Sequence, residues 1–224
     1  MGQYYKQYLK DAEGHERVFC SQNAIYMTRN GIESPDAIGG HVYDWGDPDC
    51  WGSCFSGLKL MEHAWIGNDF TNGVLEALWD NPCTLAWVGD YADDKGDYDG
   101  RYTEDVYLKV WGDDCIAEGP FGELPTIHRD GFIVNLTRGE YVDLAEYVAA
   151  ATYKPKWASD GGWCNHPLAM LTAIGNGRGG GDYHGAHMEK VGAWAMDEIM
   201  YTQDASRLGG LEKVDAQSIA FREE

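Results

Sequence analysis

Short apolar runs, separated by turn-forming residues, constrain the fold of this chain most. Aromatic and β-branched residues alternate with polar ones in several of these runs. A period of two is typical of strands that bury one face in a core, and it favours strands over long helices. We therefore predict a single globular α+β domain over residues 1–224, with a largely antiparallel sheet, hairpins and a few short helices.

Two hairpins are predicted from the runs and their turns. Residues 3–9 and 18–21 are joined through an acidic turn that ends in Gly14. Residues 132–136 and 140–144 flank a three-residue loop with Gly139 at its last position. A glycine at that position accepts the positive φ that such a loop requires.

The remaining elements are predicted from apolar patterns and helix signals. They are a helix over 74–79 with Thr71 as its N-cap, a buried strand over 84–88, a helix over 145–153, extended or strand segments over 166–172 and 191–200, and a long surface excursion over 30–57.

The charge of the chain limits its partners. Seventeen basic residues stand against 37 acidic ones, which gives a net charge of −20. This charge repels nucleic acids and anionic membrane surfaces. The sequence also has no apolar run long enough to span a bilayer and no signal peptide at its beginning. We expect a cytoplasmic protein with no nucleic-acid or membrane partner.

The six cysteines do not indicate disulfides, because no secretory signal accompanies them. We expect free, mostly buried thiols. Cys50, Cys54 and His63 could supply three zinc ligands, but the C-x2-C pair of a zinc site is absent. No metal and no cofactor are predicted.

A cluster of glycines over residues 175–185 is the strongest functional signal. It contains six glycines together with Arg178, Asp182 and His184. Backbone N–H groups of such a segment can form a concave anion site, and a guanidinium adds a planar fork of donors. The pattern matches neither a Walker motif nor a dinucleotide-binding turn. A purely architectural loop, bulge or close backbone crossing is the alternative interpretation.

The candidate ligand-binding residues combine this cluster with polar groups elsewhere in the chain. They are His63, Asp90, Asp93, Asn176, Arg178, Gly179, Gly180, Asp182 and His184.

Two of these groups have competing interpretations. Asp90 and Asp93 follow a predicted strand, where carboxylates can bind Mg²⁺ or Ca²⁺ but are also common in metal-free turns. Glu62 and His63 could act as an acid–base pair. If they lie on a strand, however, they point to opposite faces, and His63 is then a structural histidine.

Four sequence blocks resemble a family of uncharacterised bacterial and bacteriophage proteins. The blocks are MGQYY at residues 1–5, GLKLMEH at 57–63, VGDYAD at 88–93 and GNGRGGGDY at 175–183. Their order is the specific part of the resemblance. It implies a phage or bacterial cytoplasmic setting and transfers no catalytic residue.

Three functions follow as hypotheses, and whether the protein is an enzyme stays open. The first is binding or sequestration of a small anionic, nucleotide-like ligand by the glycine-rich segment. The second is a small hydrolase that uses His63, Asp90 or Asp182, with or without a divalent metal. The third is an acidic interaction protein that acts on a host factor through its surface charge.

Overall fold

Nine strands of the computed structural model form one mixed sheet. The structure describes residues 3–19, 59–92, 104–111, 117–118, 126–156, 162–175 and 182–222, and every structural statement below concerns these residues. The strands are β1 (Tyr5–Asp11), β2 (Glu16–Phe19), β3 (Cys83–Gly89), β4 (Ala117–Glu118), β5 (Phe132–Asn135), β6 (Glu140–Asp143), β7 (Ala173–Ile174), β8 (Glu198–Thr202) and β9 (Glu212–Lys213). Their order is β4-β2-β1-β3-β8-β5-β6-β9, and β7 pairs with β3 beside this path.

Most neighbouring strands run antiparallel, and three pairs are parallel. The parallel pairs are β2 with β4, β3 with β7, and β6 with β9. The predicted α+β fold with a largely antiparallel sheet is therefore confirmed.

Short helices accompany the sheet. They are α1 (Leu60–His63), α2 (Asp69–Ala77), α3 (Glu104–Trp111), α4 (Leu144–Ala151) and α5 (Pro167–Thr172), with 3₁₀ turns at Met188–Lys190, Ala205–Leu208 and Ala216–Ile219. Within the described ranges, none of the helices has the length and apolar character needed to cross a membrane.

Both predicted hairpins are confirmed. In the first, β1 and β2 pair antiparallel, with Lys10 opposite Glu16. In the second, β5 and β6 pair antiparallel, with Asn135 opposite Glu140. Gly139 has a φ of 69°, as the loop requires.

The predicted N-cap of the helix after α1 is wrong. Asn68 caps α2, because its side chain accepts hydrogen bonds from the Phe70 N–H at 3.0 Å and the Thr71 N–H at 3.2 Å. The Thr71 hydroxyl instead donates to the His63 carbonyl at 2.6 Å. Asn and Thr both favour this position, so residue type alone did not select between them.

The predicted strand over 166–172 is also wrong, because Pro167–Thr172 forms α5. Pro167 occupies the start of this helix, where its missing N–H costs nothing, and the His166 ring accepts from the Leu168 N–H at 3.2 Å. All six helical residues are buried, so the run has no alternation by which a strand and a helix could be distinguished.

The strand predicted over 191–200 is shorter than expected and lies further along the chain. Residues 191–197 form turns, in which Gly192 and Met196 have φ values of 75° and 64°. Only Glu198–Thr202 forms β8. The positive φ values interrupt the extended backbone that a strand requires.

The sheet has a hydrophobic layer on each face. On one face, Leu9, Leu85 and Trp87 pack in the main core with residues of α1, α2, α4 and α5. On the other, Ala86 and Val88 pack with Val106 and Val110 of α3. The predicted surface excursion over 30–57 lies outside the described residues.

Lys6 is buried in the second layer. Its Nζ donates to the Val110 carbonyl at 3.2 Å and lies 3.8 Å from the centroid of the Trp111 ring. The contact with the ring is a cation–π interaction, which helps to offset the loss of water around the ammonium group. Because Lys6 pairs with Val88, its ammonium group lies in this layer near the end of β3.

Candidate functional site

Three chain segments meet where β3 and β7 end. The two strands are parallel, with Trp87 opposite Ala173 and Val88 opposite Ile174. Their carboxyl ends therefore lie side by side. On the other side of β3, Tyr5 at the beginning of β1 pairs with Gly89. The exits of β3 and β7 and the entry of β1 share one end of the sheet.

The Tyr5 hydroxyl and the Gln3 carboxamide connect these segments. Tyr5 Oη donates to Asp182 Oδ1 at 3.0 Å. In the amide orientation that satisfies both ends of Gln3, its Nε2 donates to Asp182 Oδ2 at 2.9 Å and its Oε1 accepts from the Tyr91 N–H at 3.3 Å. Gln3, Tyr5 and Asp182 are all buried. Together they hold Asp182, which lies within the glycine cluster over residues 175–185, against β1.

Two glycines make room for these side chains. A Cβ on Gly175 would overlap the Tyr5 hydroxyl, and a Cβ on Gly89 would overlap the Gln3 amide. Glycine is therefore required at both positions for close packing, independently of φ.

Asp90 is the second carboxylate at this end of the sheet. Its Oδ1 accepts from the Tyr4 N–H at 3.0 Å, and its own N–H donates to the Tyr4 carbonyl at 2.9 Å. Burial raises the pKa of Asp90, and the charge of Asp182 adds to that effect, whereas the Tyr4 N–H and the Lys6 ammonium oppose it. The site thus combines two neighbouring carboxyl groups with a buried amide and a phenol.

His63 lies in the main core. Its Nε2 accepts from Trp87 Nε1 at 2.7 Å. In the amide orientation that satisfies both ends of Gln7, the Gln7 carbonyl oxygen accepts from the same indole N–H. The ring also makes an edge contact with Phe70. Burial lowers the pKa of His63 to about 3. The imidazole is therefore neutral near pH 7, and the lone pair of Nε2 is already engaged.

The structure places the predicted site residues in three groups. It brings Asp90 and Asp182 to the same end of the sheet, puts His63 in the core, and leaves His184 exposed two positions after Asp182. The remaining predicted site residues lie outside the described residues. They are Asp93, Asn176, Arg178, Gly179 and Gly180.

Sequence reasoning missed Gln3 and Tyr5 as parts of the site. A signal was present, because Gln3 and Gln7 occupy core-facing positions of a strand whose other core-facing members are Tyr5 and Leu9. Inward-facing polar side chains need partners and therefore mark a buried polar network. The sequence could not indicate that Asp182 is the partner of Gln3, because the two residues lie 179 positions apart.

Comparison of the chain with models of protein families, with curated proteins and with solved structures gave no match in any of the three.

Proposed function

We propose that the protein binds a small anionic, nucleotide-like ligand through the segment that begins at Gly175 and ends at Asp182. The observation that supports this most is that both ends of the segment lie at the Tyr5 hydroxyl. Gly175 packs against this hydroxyl, and Asp182 accepts its hydrogen bond. The two described ends of the segment are therefore held at one place, beside β1.

The position of the segment supports the same proposal. In open α/β sheets, ligands bind beyond the carboxyl ends of parallel strands. The pair β3 and β7 is a local parallel pair of this kind within a mostly antiparallel sheet, and the segment starts directly after β7, beside the end of β3. The sequence supplies Arg178 and consecutive glycines there, which are donors suited to a phosphate or a carboxylate.

Asp90 defines how such a ligand would be oriented, because it is partly exposed, whereas Asp182 is buried and accepts from Tyr5 and Gln3. A carboxylate repels a phosphate placed directly against it but accepts hydrogen bonds from amino and hydroxyl groups. A ligand with a charged end and an uncharged polar end satisfies both requirements. The phosphate would face Arg178, and the base or the sugar would face Asp90. This arrangement favours a nucleotide over inorganic phosphate.

The contacts of His63 favour binding over hydrolysis. A general base needs a free lone pair within reach of the substrate and a pKa near the working pH. His63 is fully buried, its Nε2 accepts from Trp87, and its pKa is about 3. The bacterial or phage setting implied by the resemblance is part of this proposal, since sequestration of a small nucleotide signal suits it.

Equilibrium titration with a nucleotide panel and with inorganic phosphate tests the proposal. Arg178→Ala is expected to weaken nucleotide binding by roughly 10- to 150-fold, which corresponds to the 1.5–3 kcal/mol of a hydrogen bond to a charged group. The control is Arg207→Ala, because Arg207 is an exposed arginine whose Nε lies 3.4 Å from Asp80. Failure of every nucleotide to bind, or equal effects of the two variants, would overturn the proposal.

A further inference from the structure

The turn between β1 and β2 carries three metal-ligand side chains at alternate positions. They belong to Asp11, Glu13 and His15. The turn is closed by the Asp11 N–H, which donates to the His15 carbonyl at 3.1 Å, and by the Gly14 N–H, which donates to the Asp11 carbonyl at 3.0 Å. Gly14 has a φ of 88°, so the chain can reverse within these five residues.

The distances between the donor atoms match those around a tetrahedral metal ion. His15 Nδ1 lies 3.2 Å from Asp11 Oδ2 and 3.6 Å from Glu13 Oε2, and all three atoms lie within 4.8 Å of one another. Zinc binds nitrogen and oxygen donors at about 2.0–2.2 Å, so two donors of one tetrahedral ion are roughly 3.3–3.6 Å apart. The 3.6 Å separation lies in this range, and the 3.2 Å separation lies just below it.

The three side chains are accessible, and the Asp11 carboxylate is oriented towards the imidazole. The exposed fractions of the His15, Glu13 and Asp11 side chains are 72%, 80% and 20%. The backbone N–H groups of Glu13 and His15 hold Asp11 Oδ1 at 3.0 and 2.8 Å, which leaves Oδ2 directed at the imidazole.

We propose that this turn binds one divalent transition-metal ion of the zinc or nickel type through Asp11 Oδ2, Glu13 Oε2 and His15 Nδ1, with water completing the coordination. The ion would lie between Nδ1 and the two carboxylate oxygens that face it. The imidazole selects zinc or nickel over magnesium and calcium, which prefer sets of six or more oxygen ligands. The net charge of −20 adds a general attraction for cations. The site is independent of the proposed nucleotide site.

Titration of the chelator-treated full chain with Zn²⁺, and separately with Mg²⁺, tests this site. One Zn²⁺ is expected to bind at the turn and to shift the imidazole resonances of His15, while Mg²⁺ leaves them in place. His15→Ala and Glu13→Gln are each expected to weaken this binding by more than about tenfold, because loss of even an outer partner of a metal ligand costs about 10- to 100-fold.

His187→Asn is the matched control. His187 also faces a carboxylate, since its Nδ1 lies 3.8 Å from Glu189 Oε1, but the ion-pair geometry there involves one carboxylate and not two. This variant is expected to bind Zn²⁺ as the parent does. If Zn²⁺ leaves the His15 resonances unmoved, or if His15→Ala and Glu13→Gln retain the parent affinity, the turn is only a hydrogen-bonded hairpin and the proposal is wrong.

Discussion

Tyr5 and Asp182 lie 177 positions apart in the chain and share a hydrogen bond, in which the Tyr5 hydroxyl donates to Asp182 Oδ1 at 3.0 Å. Asp182 is only 5% exposed, so its carboxylate depends on protein donors in place of water. The bond joins β1 to Asp182, which lies within the glycine cluster over residues 175–185. The stability of the fold therefore depends on a contact at the edge of the segment for which we propose ligand binding.

Tyr5→Phe is expected to lower the free energy of unfolding by about 1–3 kcal/mol, because a buried carboxylate loses a donor. Urea unfolding measures this loss. Tyr4→Phe serves as the control, since the contacts of Tyr4 with Asp90 run through its backbone. Equal midpoints for the two variants would show that the Tyr5 hydroxyl does not stabilise the fold.

Gly175→Ala and Gly89→Ala are each expected to destabilise the fold by about 1–3 kcal/mol, the usual cost of overpacking a core. The new methyl group would overlap the Tyr5 hydroxyl in the first variant and the Gln3 amide in the second. Gly209→Ala provides the control, because the nearest atom to its added Cβ is 4.0 Å away. Thermal unfolding of the three variants decides the point. A melting temperature of Gly175→Ala equal to that of Gly209→Ala would contradict the close packing.

The stability of the protein should fall in acid because of His63. Its folded pKa is about 3, against the usual 6.5 that it regains on unfolding. The contribution that the neutral His63 makes to the free energy of unfolding is thus fully present above pH 6.5. It is lost as the pH falls from 6.5 towards 3, by about 1.4 kcal/mol per pH unit for one proton. Burial, and to a smaller extent the charge of His128, also lowers the pKa of His166 to about 3. His166 therefore takes up a second proton in the same pH range.

His63→Gln is expected to reduce this slope by one proton, as measured by urea unfolding between pH 7 and pH 4. Because the variant could lose its fold, the ring resonances of His63 in the parent protein provide a second test. They should not titrate between pH 8 and pH 5. Titration in that range would contradict the buried, neutral imidazole.

Cys83 and Cys164 should react with a thiol reagent only after unfolding. Both are free and buried, and burial raises the pKa of Cys164 to about 11, so little thiolate forms at pH 8. Rates in native and denatured protein, with all six sequence cysteines counted after denaturation, test this expectation. Fast reaction of Cys164 in the native protein would contradict its burial.

The sequence was sufficient where local chemistry determines the structure. The two hairpins follow from their apolar runs and turn residues, β3 follows from a short apolar run that ends at a turn, and Gly139 adopts the predicted positive φ. The strand prediction was wrong over residues 166–172 and too long over residues 191–200, and the reasons differ. The first run is apolar throughout, so its periodicity carries no information, and the second run contains backbone turns that its apolar composition conceals.

The candidate site was predictable only in part. Asp90 and Asp182 were identified because they adjoin a strand and a glycine cluster, and the structure places both at the ends of β3 and β7. Gln3 and Tyr5 acquire their roles from the pairing of β1 with β3, which is a long-range contact. His63 was included among the binding residues because of its residue type, whereas its burial depends on how α1 packs on Trp87 and agrees with the alternative of a structural histidine.

Nuclear magnetic resonance of the labelled protein during nucleotide titration tests the central claim most directly. The account predicts that the backbone amides of Gly175, Asp182 and Tyr5 shift together and saturate at one equivalent of ligand. Those of Glu13 and Gly210, which lie in turns outside the proposed site, should stay in place. Saturating shifts that spare Gly175, Asp182 and Tyr5, or no shifts with any nucleotide, would contradict the claim that this segment binds the ligand.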